Sequence, residues 1–313
     1  MGGSDRPNRY IGRFAPSPTG PLHIGSLATA VASFLHARQN EGDWLVRMED
    51  IDPPREVAGA ASAILHALER FDLHWDGDVL YQSTRTEAYR SAAEGLLRKG
   101  LAYHCSCTRA LLRSLRSGKA ASERYPGLCR TKQEHERSTA IRVLTSATPI
   151  SFSDALQGER SYALEETSGD YVIFRRDGLP AYHLAVVVDD AEQGVTNIIR
   201  GVDLLDSTAT HVHLQQTLGL PTPTYGHLPV IVNATGQKLS KRTGAEPLDL
   251  EQAGTTAFDL LTQLGLRPPS ELRGEQPEII WRWAISHWDI RSLTGRSELP
   301  ESSESVAEQP SID

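Results

Sequence analysis

Cysteine is scarce in this chain. Its three residues, Cys105, Cys107 and Cys129, are odd in number and confined to one short stretch. An odd, clustered set excludes a disulfide framework and points to a reduced, cytoplasmic chain with a candidate metal site. No run approaches the ~20 apolar residues of a membrane span. The polar stretch Met1 to Tyr10 offers no apolar core for a secretory signal. Positive charge is also short: 32 Lys and Arg face 40 Asp and Glu, for a net charge of −8. That balance excludes non-specific nucleic-acid binding driven by a dominant positive field. A local field stays open. Arg109, Arg113, Arg116, Lys119, Arg124, Arg130, Lys132 and Arg137 stand against only Glu123, Glu134 and Glu136. Such a stretch suits local RNA contact or an ordinary solvated helix face equally well. What is present, 39% hydrophobic and 23% charged residues over 313 positions, suffices for one large domain or a domain with an insertion.

Tyr10 to Phe14 reads as a buried strand, followed by a loop holding Pro16, Ser17, Pro18, Thr19, Gly20 and Pro21. Ile24, Leu27, Ala28, Val31 and Leu35 then recur at helical spacing, so a helix starts near His23. Trp44 to Met48 reads as a second strand, which makes a βαβ unit with a parallel sheet. Val57, Ala61, Ile64, Leu68 and Phe71 mark a second helix, and Thr84 with Glu87 reads as the capping box of a third, ended by Gly100. Alternation weakens from Leu101 to Thr167 and resumes with Tyr171–Phe174, the apolar run Leu184–Val188, and Thr196–Ile199. A helix over His211–Leu218 and a strand over Leu228–Val232 follow. Helical pattern returns around Phe258–Leu264 and Ile279–Trp288, and a Ser-, Glu- and Pro-rich tail from Arg296 reads as disordered.

Two short strings carry chemistry. The turn around His23, Ile24, Gly25 and Ser26 places free helix N–H groups and a partial positive charge where a phosphate can sit. Gly20 and Gly25 admit close approach, the prolines pre-set the loop, and the His23 imidazole can donate to a phosphate oxygen. Alone, this is a weak signal. The second string, Lys238, Leu239, Ser240, Lys241 and Arg242, puts three cations on a loop flanked by Gly236 and Gly244. It suits a triphosphate whose charge grows as pyrophosphate leaves, though a plain basic surface loop looks the same.

Together the strings are specific. Arg13 through Ser26 resembles the first signature of class I aminoacyl-tRNA synthetases in its glutamyl/glutaminyl form, and Lys238 to Arg242 resembles the second. The likeness continues, in order, through Arg47–Arg55, Ala181–Asp190 and Ile199–Leu204. One departure is Ser26, where His is usual; a hydroxyl can still donate to phosphate. The resemblance implies an α/β fold, a Rossmann-like parallel-sheet nucleotide-binding domain with a zinc-containing insertion and a short helical C-terminal segment. On that reading 1–100 and 168–245 are the halves of the catalytic domain, 101–167 the insertion with an acceptor-binding surface, 246–295 the helical segment and 296–313 the tail.

It also implies roles. His23 and Lys241 would be catalytic, and His23, Gly25, Ser26, Lys238, Ser240 and Lys241 would hold ATP. Arg13, Phe14, Ala15, Pro16, Ser17, Glu49, Tyr182 and Arg200 would hold glutamate, with the arginines on a carboxylate and Glu49 on the α-ammonium. The plain alternatives pair Glu49 with Arg47 or Arg55, and Arg200 with Asp203. No protein nucleophile is needed: the α-carboxylate attacks the α-phosphorus of ATP, with Mg²⁺ expected on the phosphates. Cys105, Cys107, Tyr125 and Cys129 resemble a structural zinc site of this family. His104 and His135 are alternative fourth ligands, and free thiols are the alternative to metal.

Only 71 residues follow Arg242, where glutamyl-tRNA synthetases continue into a large helical anticodon-reading domain. The branch lacking it is the glutamyl-queuosine tRNA(Asp) synthetase family. That resemblance implies tRNA-independent activation of glutamate and its transfer to queuosine in the anticodon loop of tRNA(Asp). A truncated glutamyl-tRNA synthetase charging a 3′ end is the alternative. A monomer is expected, since nothing in the sequence forces a dimer.

Overall fold

A computed structural model describes residues 9–115, 124–132, 138–233, 235–239 and 247–300. The chain opens with β1 (Ile11–Phe14), α1 (Ile24–Gln39) and β2 (Asp43–Met48). β1 and β2 pair in parallel from Ile11↔Asp43 to Phe14↔Val46. Parallel neighbours need a crossover, and α1 provides it. Leu27, Val31 and Leu35, the positions read at helical spacing, are fully buried in it. After α2 (Ala60–Arg70), the short β3 (Leu80–Tyr81) pairs with the end of β2. The next helix, α3, spans Thr86–Arg98. Its start corrects the expected Thr84 cap. A 3₁₀ turn, Gln82–Arg85, comes first, and the Thr84 hydroxyl donates to the Tyr81 carbonyl at 2.7 Å. The turn is pinned because buried Gln82 donates to Asp189 at 2.8 Å.

The stretch expected to be an insertion divides between two structures. It holds β4 (Ala102–Cys105), α4 (Arg109–Ser114), β5 (Ala140–Val143), β6 (Ile150–Asp154), β7 (Gly158–Tyr162) and α5 (Leu164–Thr167). With β8 (Val172–Phe174), β4 and β5 form a separate antiparallel sheet in the order β4-β5-β8. The β6–β7 hairpin instead turns back onto the parallel sheet.

The run Leu184–Val188 lies inside α6 (Tyr182–Glu192). Then come β9 (Asn197–Gly201), α7 (Leu205–Leu218) and β10 (Thr224–Leu228). β9 and β10 pair in parallel, and β6 joins β10 at Tyr225↔Asp154. The two parallel groups abut at β1: the Thr196 amide donates to the Ile11 carbonyl at 2.9 Å, and the Ile11 amide donates to Thr196 Oγ1 at 2.8 Å.

The strand expected over Leu228–Val232 is broken by Pro229, which has no N–H to give a ladder. β11 (Val230–Val232) therefore stands apart from β10. α8 (Ala253–Gln263) and α9 (Pro277–His287) follow. Leu260, Leu261, Ile280 and Trp281 share one core with Leu27 and Trp44, and the Trp281 indole donates to the Phe71 carbonyl at 2.6 Å. The tail expected to be disordered from Arg296 opens with a strand instead, and its residues 301–313 lie outside the described residues. β12 (Glu298–Pro300) pairs with β11 in the register Ile231↔Leu299, which buries Leu299 and satisfies an otherwise open strand edge.

Candidate active site

The C-terminal ends of β1, β2, β9 and β10 open onto one cleft of about 730 Å³. In open α/β sheets this rim, where strand order reverses, is where ligands bind. Arg13, Phe14, Ala15, Pro16, Ser17, His23, Gly25, Ser26, Glu49, Tyr182, Arg200 and Lys238 all line it. Of the expected cleft residues, Ser240 and Lys241 lie outside the described residues.

On the β1–β2 side the charges are buried and shared. Asp190, from α6, takes Arg47 Nη1 at 2.7 Å and Arg13 Nε at 3.2 Å on the same oxygen. Arg47, wholly buried, also donates to Gln193 at 2.9 Å and reaches Glu49 at 3.5 Å. Burial alone would raise Asp190, but Arg47 and Arg13 hold it below the usual carboxylate range. Burial pushes Glu49 up, and Arg47 and Arg13 only partly offset it. Arg55 is not Glu49's partner; it pairs with Asp52.

Arg200 faces this group from β9. Asp203 does not neutralise it, because Asp203 accepts Lys238 Nζ at 2.5 Å. Arg200 is held by neutral acceptors instead. Nε donates to His227 Nε2 at 3.0 Å, Nη1 to His211 Nδ1 at 3.3 Å, and Nη2 to Thr208 Oγ1 at 2.8 Å and the Leu204 carbonyl at 3.3 Å. A guanidinium has five N–H groups, so one on Nη1 has no acceptor among the described residues. No carboxylate among them lies within ion-pair distance of Arg200. Two buried guanidinium groups, Arg13 and Arg200, and one buried carboxylate, Glu49, thus line the cleft, and buried Arg47 and Asp190 bond to Glu49 and Arg13.

The histidines around Arg200 are uncharged. Burial, then repulsion from Arg200, lowers His183 from 6.5 to about 4 and His211 well below 6.5. His211 and His183 bond to each other at 3.1 Å. Below pH 6.5 the unfolded chain binds protons on these imidazoles that the folded protein refuses. Stability is therefore complete above that pH and is lost as pH falls toward 4. Denaturant unfolding at pH 7 and pH 5 will show a loss of about 2 kcal/mol per imidazole, about 4 kcal/mol for the two, at the lower pH; equal stabilities contradict uncharged imidazoles.

Across the cleft, α1 begins beside the loop after β1. His23 holds the cap position of α1, and His23, Gly25 and Ser26 at this helix start all line the cleft. Ser26 Oγ lies 3.0 Å from His23 Nε2. A Cβ on Gly25 would stand 3.2 Å from the His23 ring, so glycine keeps the imidazole in place. Gly20, at φ 135°, takes a conformation side chains rarely allow. Lys238 reaches the same cleft on a turn that closes from Asn233 to Gln237, and Leu239 anchors it by donating to the Ile231 carbonyl at 2.8 Å.

A second cluster lies in the antiparallel sheet. The Sγ atoms of Cys105, Cys107 and Cys129 fall within 4.8 Å of one another and could hold a metal ion. Cys107 and Cys129 Sγ are 3.6 Å apart, close to the ~3.8 Å that tetrahedral zinc imposes on two thiolates. Tyr125 Oη lies 3.4 Å from Cys105 Sγ and 3.6 Å from Cys107 Sγ. His104 is exposed and bonds Thr139 at 2.8 Å, while His135 lies outside the described residues. Burial pushes the Cys107 thiol up to about 11. Arg142 offers positive charge around the cluster, with its guanidinium 3.8 Å from the Tyr125 ring centre and Nε 3.3 Å from Cys105 Sγ.

Residues 11–271 match the family of tRNA synthetases class I (E and Q), catalytic domain. A glutamyl-Q tRNA(Asp) synthetase of Pseudomonas paraeruginosa is 49% identical over 294 residues, spanning 94% of this chain and 98% of that protein. The chain belongs to the glutamyl-Q tRNA(Asp) synthetase family. A second relative of that name, from Aromatoleum aromaticum, is 48% identical over 281 residues and covers 90% of this chain and 89% of its own. A solved glutamate tRNA ligase from Elizabethkingia meningosepticum, in complex with its amino acid, superposes with a TM-score of 0.77 at 26% identity. It covers 93% of this chain and 67% of its own. The chain is therefore a ligase-type enzyme on the class I synthetase catalytic fold.

Sequence reading of this synthetase missed part of the cleft. Arg47 enters the sequence reading only as an alternative partner of Glu49, a contact the structure shows at 3.5 Å, while Asp190, Asp154, His211, Thr208 and His227 are given no role there. A signal existed for Asp190: Asp189 and Asp190 end a run of Leu, Ala and Val, and acids that deep are almost never buried without a partner. Among the described residues, no helix is long and apolar enough to cross a membrane.

Proposed function

We propose that this enzyme activates L-glutamate with ATP, without tRNA, and transfers the glutamyl group to queuosine in the anticodon loop of tRNA(Asp). The observation that carries the first half is the Arg200 guanidinium, buried at the cleft and bound only by neutral acceptors. Such a group awaits an anion. Arg200 and Arg13 take the side-chain carboxylate, Glu49 the α-ammonium, and Tyr182 closes the pocket. Ala15, Pro16 and Ser17 line it, and buried Phe14 sits at its floor.

The α-carboxylate is thereby held against the α-phosphorus of ATP, whose phosphates lie on the start of α1 beside His23, Gly25 and Ser26. Lys238, Ser240 and Lys241 then meet the charge that develops as pyrophosphate leaves. Mg²⁺ accompanies the nucleotide. The transfer to queuosine is supported by the relatives' shared name and near-complete coverage.

Glutamate-dependent exchange of pyrophosphate into ATP, measured with no tRNA present, tests the activation step. Exchange with glutamate and not with glutamine or aspartate is expected; absence of exchange with glutamate rejects it. Zinc held by Cys105, Cys107, Cys129 and Tyr125 would supply structural cross-linking to the antiparallel sheet. Metal analysis should find about one zinc per chain, lost in Cys129→Ser; a metal-free wild-type protein rejects the zinc assignment.

A further inference from the structure

Asp154 ends β6, far in sequence from every motif, yet its carboxylate is buried two bonds of a hydrogen-bond chain away from the cleft. Oδ1 accepts the backbone N–H groups of Leu156 at 3.0 Å, Gln157 at 2.9 Å and His227 at 3.2 Å. Oδ2 lies 2.5 Å from His227 Nδ1. The other nitrogen of that ring, Nε2, lies 3.0 Å from both Arg200 Nε and Thr208 Oγ1.

An arginine N–H can only donate. His227 Nε2 must therefore carry the lone pair, and the ring proton must sit on Nδ1, facing Asp154. The other Arg200 partners are neutral, and among the described residues the carboxylate that its hydrogen bonds lead to, Asp154, stands behind an imidazole rather than against the guanidinium. Direct pairing with a carboxylate would have filled the arginine's charge. Pairing through His227 fixes its plane and leaves that charge for a ligand.

We propose that Asp154 is a positioning residue for the side-chain carboxylate of the amino-acid substrate, acting by holding His227 in the Nδ1–H form so that Arg200 stays oriented and unneutralised. The proposal rests on the reading of Arg200 as the carboxylate receptor.

Asp154→Asn separates this role from a structural one. The asparagine carbonyl can still accept the three backbone N–H groups, so the turn keeps its bonds. Its amide, however, presents N–H to Nδ1 and drives the ring proton to Nε2, where it opposes Arg200 Nε–H. In tRNA-free exchange the KM for glutamate should rise about tenfold or more, while kcat stays within about threefold and the KM for ATP is unchanged. The ¹⁵N resonances of His227 should report the change of tautomer.

His227→Gln provides the second arm, since a glutamine carbonyl accepts from Arg200 without help from Asp154. In that background Asp154→Asn should have no further effect on the glutamate KM. An unchanged glutamate KM in Asp154→Asn, equal rises for glutamate and ATP, or additive effects in the double variant overturn the proposal. Absence of exchange in the wild-type enzyme instead overturns the reading of the cleft beneath it.

Discussion

Arg200→Leu will lower kcat/KM for glutamate in the tRNA-free exchange by about 10³-fold, because it removes a buried charge and its bonds to the substrate carboxylate at once. The KM for ATP will stay near the wild-type value, since the proposed phosphate contacts are the start of α1 and Lys238 rather than Arg200. Arg200→Lys will not restore the activity. A single ammonium cannot span His227, His211, Thr208 and the Leu204 carbonyl, all of which the guanidinium fork reaches. The measurement is steady-state exchange at varied glutamate and varied ATP. Full rescue by lysine, or a loss falling equally on ATP, contradicts a carboxylate receptor.

Arg47→Met will cost stability rather than substrate binding alone. Arg47 is fully buried, and its guanidinium is the closer of Asp190's two cations. Methionine matches much of its volume but leaves Asp190 and Glu49 facing each other with Arg13 as the remaining cation. Removing one partner of a buried charged group typically costs about 3–5 kcal/mol. Denaturant unfolding at pH 7 should show that loss. Adding Glu49→Gln should recover part of it by removing one of the stranded charges, although activity will not return if Glu49 holds the α-ammonium. A stability loss below about 1 kcal/mol would mean that the group is not the coupled ion cluster described.

Local signals were legible in the sequence. The βαβ opening follows from apolar spacing, and the turn at His23 to Ser26 follows from its glycines and prolines ahead of a helical run. Pairings across the fold were not. Arg47 and Asp190 are separated by 143 positions, and Asp154 and His227 by 73; the first pair meets because α6 packs against the sheet and the second because β6 and β10 are neighbours in it. Thr84 was misread as a cap because buried Gln82 fixes a 3₁₀ turn there, a tertiary effect that overrides the capping pattern. The Ser- and Glu-rich tail was read from composition, which does not reveal that Leu299 has an open β11 edge to join. Ser26 is the residue whose reading shifts most. Its hydroxyl stands 3.0 Å from His23 Nε2, which makes it a neighbour able to orient that imidazole as well as a donor to phosphate.

The central claim is transfer of activated glutamate to a modified base. Its most direct measurement supplies radiolabelled glutamate, ATP and the enzyme to tRNA(Asp) isolated with and without queuosine, alongside tRNA(Glu). Label should appear only on queuosine-containing tRNA(Asp). Equal labelling of both tRNA(Asp) preparations, or labelling of tRNA(Glu) alone, contradicts the claim.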